Sequence, residues 1–170
     1  QQIYDQGVQL LLLGNLAEAR AALSRVKPGG RLYPEALYKL TSIHVTGGAY
    51  EQALEGFDRI AGEYPLPELY DRSLKGAADL LLRLGRFSES LDRLALMTFA
   101  DKMYSREEID AYRCEILTRW ASQSPEVLPR AIEAYRSLTA SYPGSPRIAA
   151  YRAALAQLLE EAAEPEAPVE

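Results

Sequence analysis

The feature that most constrains the fold is a self-similarity at fixed spacing. The stretch "GNLAEARAALSRV" (residues 14–26) overlays "GAYEQALEGFDRI" (residues 48–60) at an offset of 34 residues. Gly14 falls on Gly48, Ala19 on Ala53, Leu23 on Phe57 and Val26 on Ile60. A third copy, "GRFSESLDRLALM" (residues 85–97), follows the second at an offset of 37, with Ser90 in the alanine place and Leu94 in the aromatic place. In a fourth, "LPRAIEAYRSLTASYP" (residues 128–143), Ala131, Tyr135, Leu138 and Pro143 stand for Ala53, Phe57, Ile60 and Pro65. A period of this size means one supersecondary unit per repeat, each too small to bury its own apolar face and stable only when stacked on neighbours.

The residue types say what that unit is. Gly14, Gly48 and Gly85 each end a first helix, where glycine accepts left-handed backbone angles. The small residue at Ala19, Ala53, Ser90 and Ala131 lets a second helix approach the first, and the large residue four positions on fills the space between helices. Pro65 and Pro143 stop the second helix. The preceding segments have helical periodicity: Leu37, Leu40, Ile43 and His44 share a face in "PEALYKLTSIHVTG", and Leu74, Ala77, Ala78 and Leu81 share one in "DRSLKGAADLLLRLG". In the fourth unit the first helix, "SREEIDAYRCEILTRWASQ", lacks the terminal glycine, and the link "SQSPEVLP" is longer.

These residues and their period resemble the tetratricopeptide repeat family over nearly the whole chain. The resemblance implies an all-α, right-handed solenoid of about four helix-turn-helix units plus a C-terminal capping helix. The expected layout is a single domain over residues 1–162, with repeats near 1–33, 34–67, 68–104 and 105–144, a capping helix over 145–162 and an acidic, disordered tail over 163–170. Ser145 is the expected N-cap of that last helix and Pro146 belongs in its first turn. The run "SYPGSPRIAAYRAAL" is also similar to turns of bacterial periplasmic and outer-membrane-associated members, which favours the periplasm over the cytoplasm and a place in an envelope assembly.

The resemblance further implies a concave face lined by the first helix of each repeat. The expected peptide-binding groove holds Tyr4 and Val8 from the first repeat, Tyr38, Lys39 and Ser42 from the second, Arg72, Lys75 and Arg83 from the third, and Tyr112 from the fourth. Aromatic and basic side chains together suit a protein segment with apolar anchors and some negative charge. Members that bind chaperone tails carry a clamp of lysine, asparagine and arginine; here Tyr4, Val8, Lys39, Arg72 and Gly76 occupy the matching positions, and only Arg72 fits.

Composition narrows the function classes. The net charge of -5 argues against nucleic acid, which calls for a basic face. No apolar run approaches the roughly 20 residues of a membrane span. The chain opens "QQIYDQG", with neither Met nor a signal-peptide pattern, as expected of a processed or excised form. The lone cysteine, Cys114, allows no internal disulfide and reads as a small buried apolar residue. The lone histidine, His44, reads as a structural, hydrogen-bonded side chain. "REEID" (residues 106–110) gathers carboxylates at a helix start, where they favour the dipole. "KPGGR" (residues 27–31) has no strand before it and no Gly-Lys-Ser/Thr after it, so it is a turn and not a phosphate loop. Trp120 is expected in the core, at the junction of the fourth repeat with its neighbours.

No catalytic, metal or cofactor site is expected. The leading expectation is a non-catalytic scaffold that binds another protein or a peptide segment. The alternatives are a self-associating structural protein that oligomerises through an open repeat end, exposing Tyr4, Leu11 and Leu12, and an accessory domain of an enzyme complex.

Overall fold

The computed structural model describes residues 1–99 and 103–163. Among them it contains helices and no strands. In order these are α1 (Gln2–Leu12), α2 (Leu16–Leu23), α3 (Tyr33–Thr46), α4 (Tyr50–Glu63), α5 (Pro67–Arg83), α6 (Phe87–Ala95), α7 (Arg106–Ala121), a 3-10 turn (Pro125–Val127), α8 (Leu128–Ser141) and α9 (Ile148–Ala163). Each helix packs on the next along the chain, and α3 also lies beside α5. The result is an all-α solenoid of helix pairs.

Three identical turns set the pairs. Gly14, Gly48 and Gly85 have φ of 78°, 74° and 71°, the left-handed region open to glycine. The amides of Asn15, Ala49 and Arg86 donate to the carbonyls of Leu10, His44 and Leu81, each at 2.9 Å, the Schellman pattern that closes a helix end. The fourth unit has no such glycine. There α7 runs out through Ser122 and Ser124 bonds to Thr118 and Trp120 before the 3-10 turn.

The small residues sit where the helices meet: Ala19, Ala53, Ser90 and Ala131 are all fully buried. Ser90 is satisfied by donating its hydroxyl to the Ala78 carbonyl at 2.8 Å. Leu23, Phe57 and Leu94 are buried in the large-residue place, whereas Tyr135 is half-buried. Among the described residues the core is segmented into clusters strung along the stack, two of them at the α7–α8–α9 junction, as stacking of small units allows. Trp120 is half-buried and bridges two of these clusters. It stacks on Phe87 with ring centroids 6.1 Å apart, and Arg130 covers it at 5.1 Å.

The chain departs from expectation at the last helix. α9 starts at Ile148, three residues beyond Ser145. Ser145 caps a preceding turn instead, accepting from the Arg147 amide at 3.0 Å while its hydroxyl donates to Glu107. Ala163 belongs to α9; the rest of the expected tail, residues 164–170, lies outside the described residues. At the first repeat, Tyr4 and Leu11 are half-buried in its core cluster, and Leu12 and Leu13 are the exposed pair.

Candidate functional site

The row of first helices, α1, α3, α5 and α7, carries the expected groove residues. Two cross-links tie α3, α5 and α7 together. The Arg72 guanidinium of α5 lies over the Tyr38 ring of α3, 4.6 Å from its centroid. The Lys75 ammonium of α5 lies over the Tyr112 ring of α7 at 3.8 Å. Lys75 also donates to Asp79 at 2.5 Å, and the Tyr112 hydroxyl donates to the same carboxylate oxygen at 2.5 Å. Burial first, and then the Asp79 bond, push the Tyr112 phenol far above its ordinary value, so it stays a donor.

Between α3 and α5 opens a cleft of about 340 Å³. Its floor is Phe57, Leu80 and Gly76; Val45, Ser42 and Thr46 form the α3 wall, Asp79 and Arg83 the α5 wall. Phe57 comes from the second helix α4 and reaches the groove because Gly76 has no side chain: a Cβ there would stand 2.6 Å from the Phe57 ring. Tyr38 meets Phe57 edge to face, with centroids 6.0 Å apart. Arg83 is exposed, its guanidinium 5.7 Å from the Tyr50 ring.

The structure therefore gathers Tyr38, Ser42, Arg72, Lys75, Arg83 and Tyr112 on one connected face. Lys39 and Val8 are half-buried on α3 and α1, outside this cleft, and Tyr4 lines a different one. Of the floor residues, the sequence reading assigned Phe57 to packing between helices, named Gly76 only as a clamp position, and did not single out Leu80. The signal for them was Gly76 itself, a glycine in mid-helix, which usually marks a close approach.

The other candidate residues take structural roles. Cys114 is buried against Leu138 and Tyr151, and burial pushes its thiol up to about 12. His44 is half-buried and makes no side-chain hydrogen bond among the described residues, which corrects the expectation of a bonded histidine. Its neighbours Leu37, Leu40 and Thr41 pack around the α3–α4 crossing. Gly29 at φ 77° makes "KPGGR" a turn.

The carboxylates of "REEID" do more than favour a dipole. Glu108 completes a capping box with Ser105. Glu107 accepts from the hydroxyls of Ser145 and Tyr151, the latter at 2.9 Å, and Asp110 accepts from Tyr142 at 2.8 Å. Those bonds, Ser145 first, hold the Glu107 carboxyl below its ordinary value. No group of three or more metal-ligating side chains occurs among the described residues. No helix among them is long and apolar enough to cross a membrane.

With paired helices, glycine-closed turns and a lined first-helix face, the molecule belongs to the class of helical-repeat solenoids. Residues 35–66 match the family model described as tetratricopeptide repeat. Solved structures agree in fold. One, titled "MamA RS-1 ArsTM double mutant", is 18% identical and superposes with a TM-score of 0.66 over 96% of this chain and 84% of that one. Two structures of a Podosopora anserina putative kinesin light chain with nearly identical TPR-like repeats give TM-scores of 0.60 and 0.59 at 15% and 14% identity, each over 94% of this chain and 84% of theirs. No curated protein sequence matches significantly. Tetratricopeptide arrays are in general interaction modules, not catalysts.

Proposed function

We propose that the protein is a non-catalytic adaptor that holds a segment of a partner protein against its first-helix face. The observation that carries this reading is the cleft between α3 and α5: an aromatic and aliphatic floor of Phe57 and Leu80, with Ser42 and Arg83 at its rim. Its volume of about 340 Å³ suits one or two apolar side chains. The Tyr38–Arg72 and Lys75–Tyr112 stacks fix the side chains beside it before any partner arrives, which lowers the ordering cost of binding. Binding is to an extended or helical segment that places an apolar anchor in the cleft.

A bacterial envelope assembly is the proposed setting, supported by the resemblance of the Tyr142–Ser145 turn to those of envelope-associated members. The test is a photo-crosslinking amino acid placed at Ser42, with the same group at Glu51 on α4 as control. A partner captured at position 42 and not at 51 supports the reading. Capture at 51 alone removes it.

One observation favours a second reading, self-association. Leu12 and Leu13 are 75% and 73% exposed at the end of α1, an adjacent apolar pair in water. Light scattering over a concentration series tests it, and a mass that stays at the monomer value excludes it.

A further inference from the structure

On the edge of the solenoid, where first helices begin and second helices end, two clefts meet at the turn after α2. One, of about 410 Å³, has walls of Ile3, Tyr4, Val26 and Leu32. The other, of about 530 Å³, has walls of Leu32, Pro34, Tyr64 and Leu66. They share Gly30, Arg31 and Leu32, so they form a furrow in two compartments. Leu66 is exposed within it.

Charge on this furrow is segregated. Arg25, Lys27 and Arg31 line the first compartment, all exposed. None of the three forms an ion pair with a carboxylate among the described residues. The backbone amides of Arg31 and Leu32 also make no hydrogen bond there. Of the acids around the furrow, Asp5 accepts from the Gln1 side-chain amide at 3.1 Å, and Glu35 and Glu68 line the second compartment. The concave groove differs. Its Lys75 is paired with Asp79, and its Arg72 and Arg83 lie over tyrosine rings. Three unpaired cations over an apolar cleft, in a chain of net charge -5, form a local site for an anion.

We infer that this edge furrow is a second binding site, distinct from the concave groove, for an extended acidic peptide segment of a partner protein. Carboxylates of the segment meet Arg25, Lys27 and Arg31, three cations that outnumber Glu35 and Glu68 of the second compartment. Its apolar side chains enter the two compartments in turn. An extended segment spans both compartments through their shared Gly30, Arg31 and Leu32, whereas a compact ligand fills only one. The free cations assign acidic recognition to the edge, and the concave groove keeps apolar anchoring.

The test uses a fluorescein-labelled peptide, EEVEPLEVE, and anisotropy titration of the whole protein. QQVQPLQVQ removes the charge and EESEPSESE removes the apolar side chains. Protein variants are Arg25→Ala with Arg31→Ala for the furrow, and Tyr38→Ala with Arg72→Ala for the groove. The expected result is saturable binding of EEVEPLEVE that weakens about five- to tenfold in the furrow variant and is unchanged in the groove variant. Both control peptides bind more weakly, and binding falls as salt rises from about 0.02 to 0.15 M. Equal affinity in the furrow variant, loss in the groove variant, equal affinity for QQVQPLQVQ or for EESEPSESE, or no binding at all overturns the inference. All of these outcomes leave the concave-groove reading to its own crosslinking test.

Discussion

At the scale of single residues, the groove depends on what is missing at position 76. Gly76 lets the Phe57 ring cross from α4 to the floor of the α3–α5 cleft, and a methyl group there would stand 2.6 Å from Phe57 Cζ. Phe57 is buried and cannot swing away. Gly76→Ala gains about 1 kcal/mol of helix propensity but overpacks the junction, for a net loss of about 1–2 kcal/mol. Urea denaturation measures this, and a variant more stable than wild type would show that Phe57 has room to yield. Cys114 gives a second residue-scale expectation. With its thiol pushed up to about 12 by burial, little thiolate exists at mild alkaline pH. Iodoacetamide labelling of the native protein should be at least about a hundredfold slower than of the unfolded chain. The sequence reading placed Cys114 correctly because a lone cysteine amid helical periodicity is a small apolar residue. It misread His44, because hydrogen-bond partners come from tertiary geometry that spacing does not reveal.

At the scale of elements, α9 is held by its approach as much as by its own packing. Only Tyr151 and Leu158 of α9 are buried. The turn before it is fastened to the start of α7 by Ser145 and Tyr151 on Glu107 and by Tyr142 on Asp110. This fastening is pH-dependent from both sides. Glu107 lies below its ordinary value of 4.5 in the folded chain, so its contribution is present above about pH 4.5 and is lost as pH falls below it. Tyr142 is raised from 10.0 to about 12, by burial and then by Asp110, so its contribution is complete below pH 10 and is lost as pH rises toward 12. Hydrogen exchange of α9 amides should therefore quicken at both extremes. Glu107→Gln should flatten the acid arm in part, because Glu108, lowered by its capping box with Ser105, still titrates. An unchanged acid arm in that variant would place the coupling elsewhere. Ser105→Ala should cost about 1 kcal/mol through loss of the cap. The helix start at "REEID" was legible from its carboxylates. The partners of Glu107 and Asp110 were not, since they lie 38, 44 and 32 residues away across a repeat boundary.

At the scale of the whole molecule, the repeat period carried most of the fold. Three glycines at offsets of 34 and 37 gave the helix pairs, and the small residues opposite them gave the stacking. Surface function was less legible. First-helix positions follow from the period, so Tyr38, Arg72, Lys75 and Tyr112 could be placed on one face. That Arg72 and Lys75 would lie over Tyr38 and Tyr112, while Arg25, Lys27 and Arg31 stay without an ion pair, depends on side-chain packing between repeats. The central claim is that the first-helix face is the working surface. The most direct measurement is a proximity-crosslinking pull-down comparing wild type with the Tyr38→Ala, Arg72→Ala double variant, at matched helical circular dichroism. The account predicts a protein partner that is captured by wild type and lost with the variant. Capture of the same partner by both proteins would contradict it.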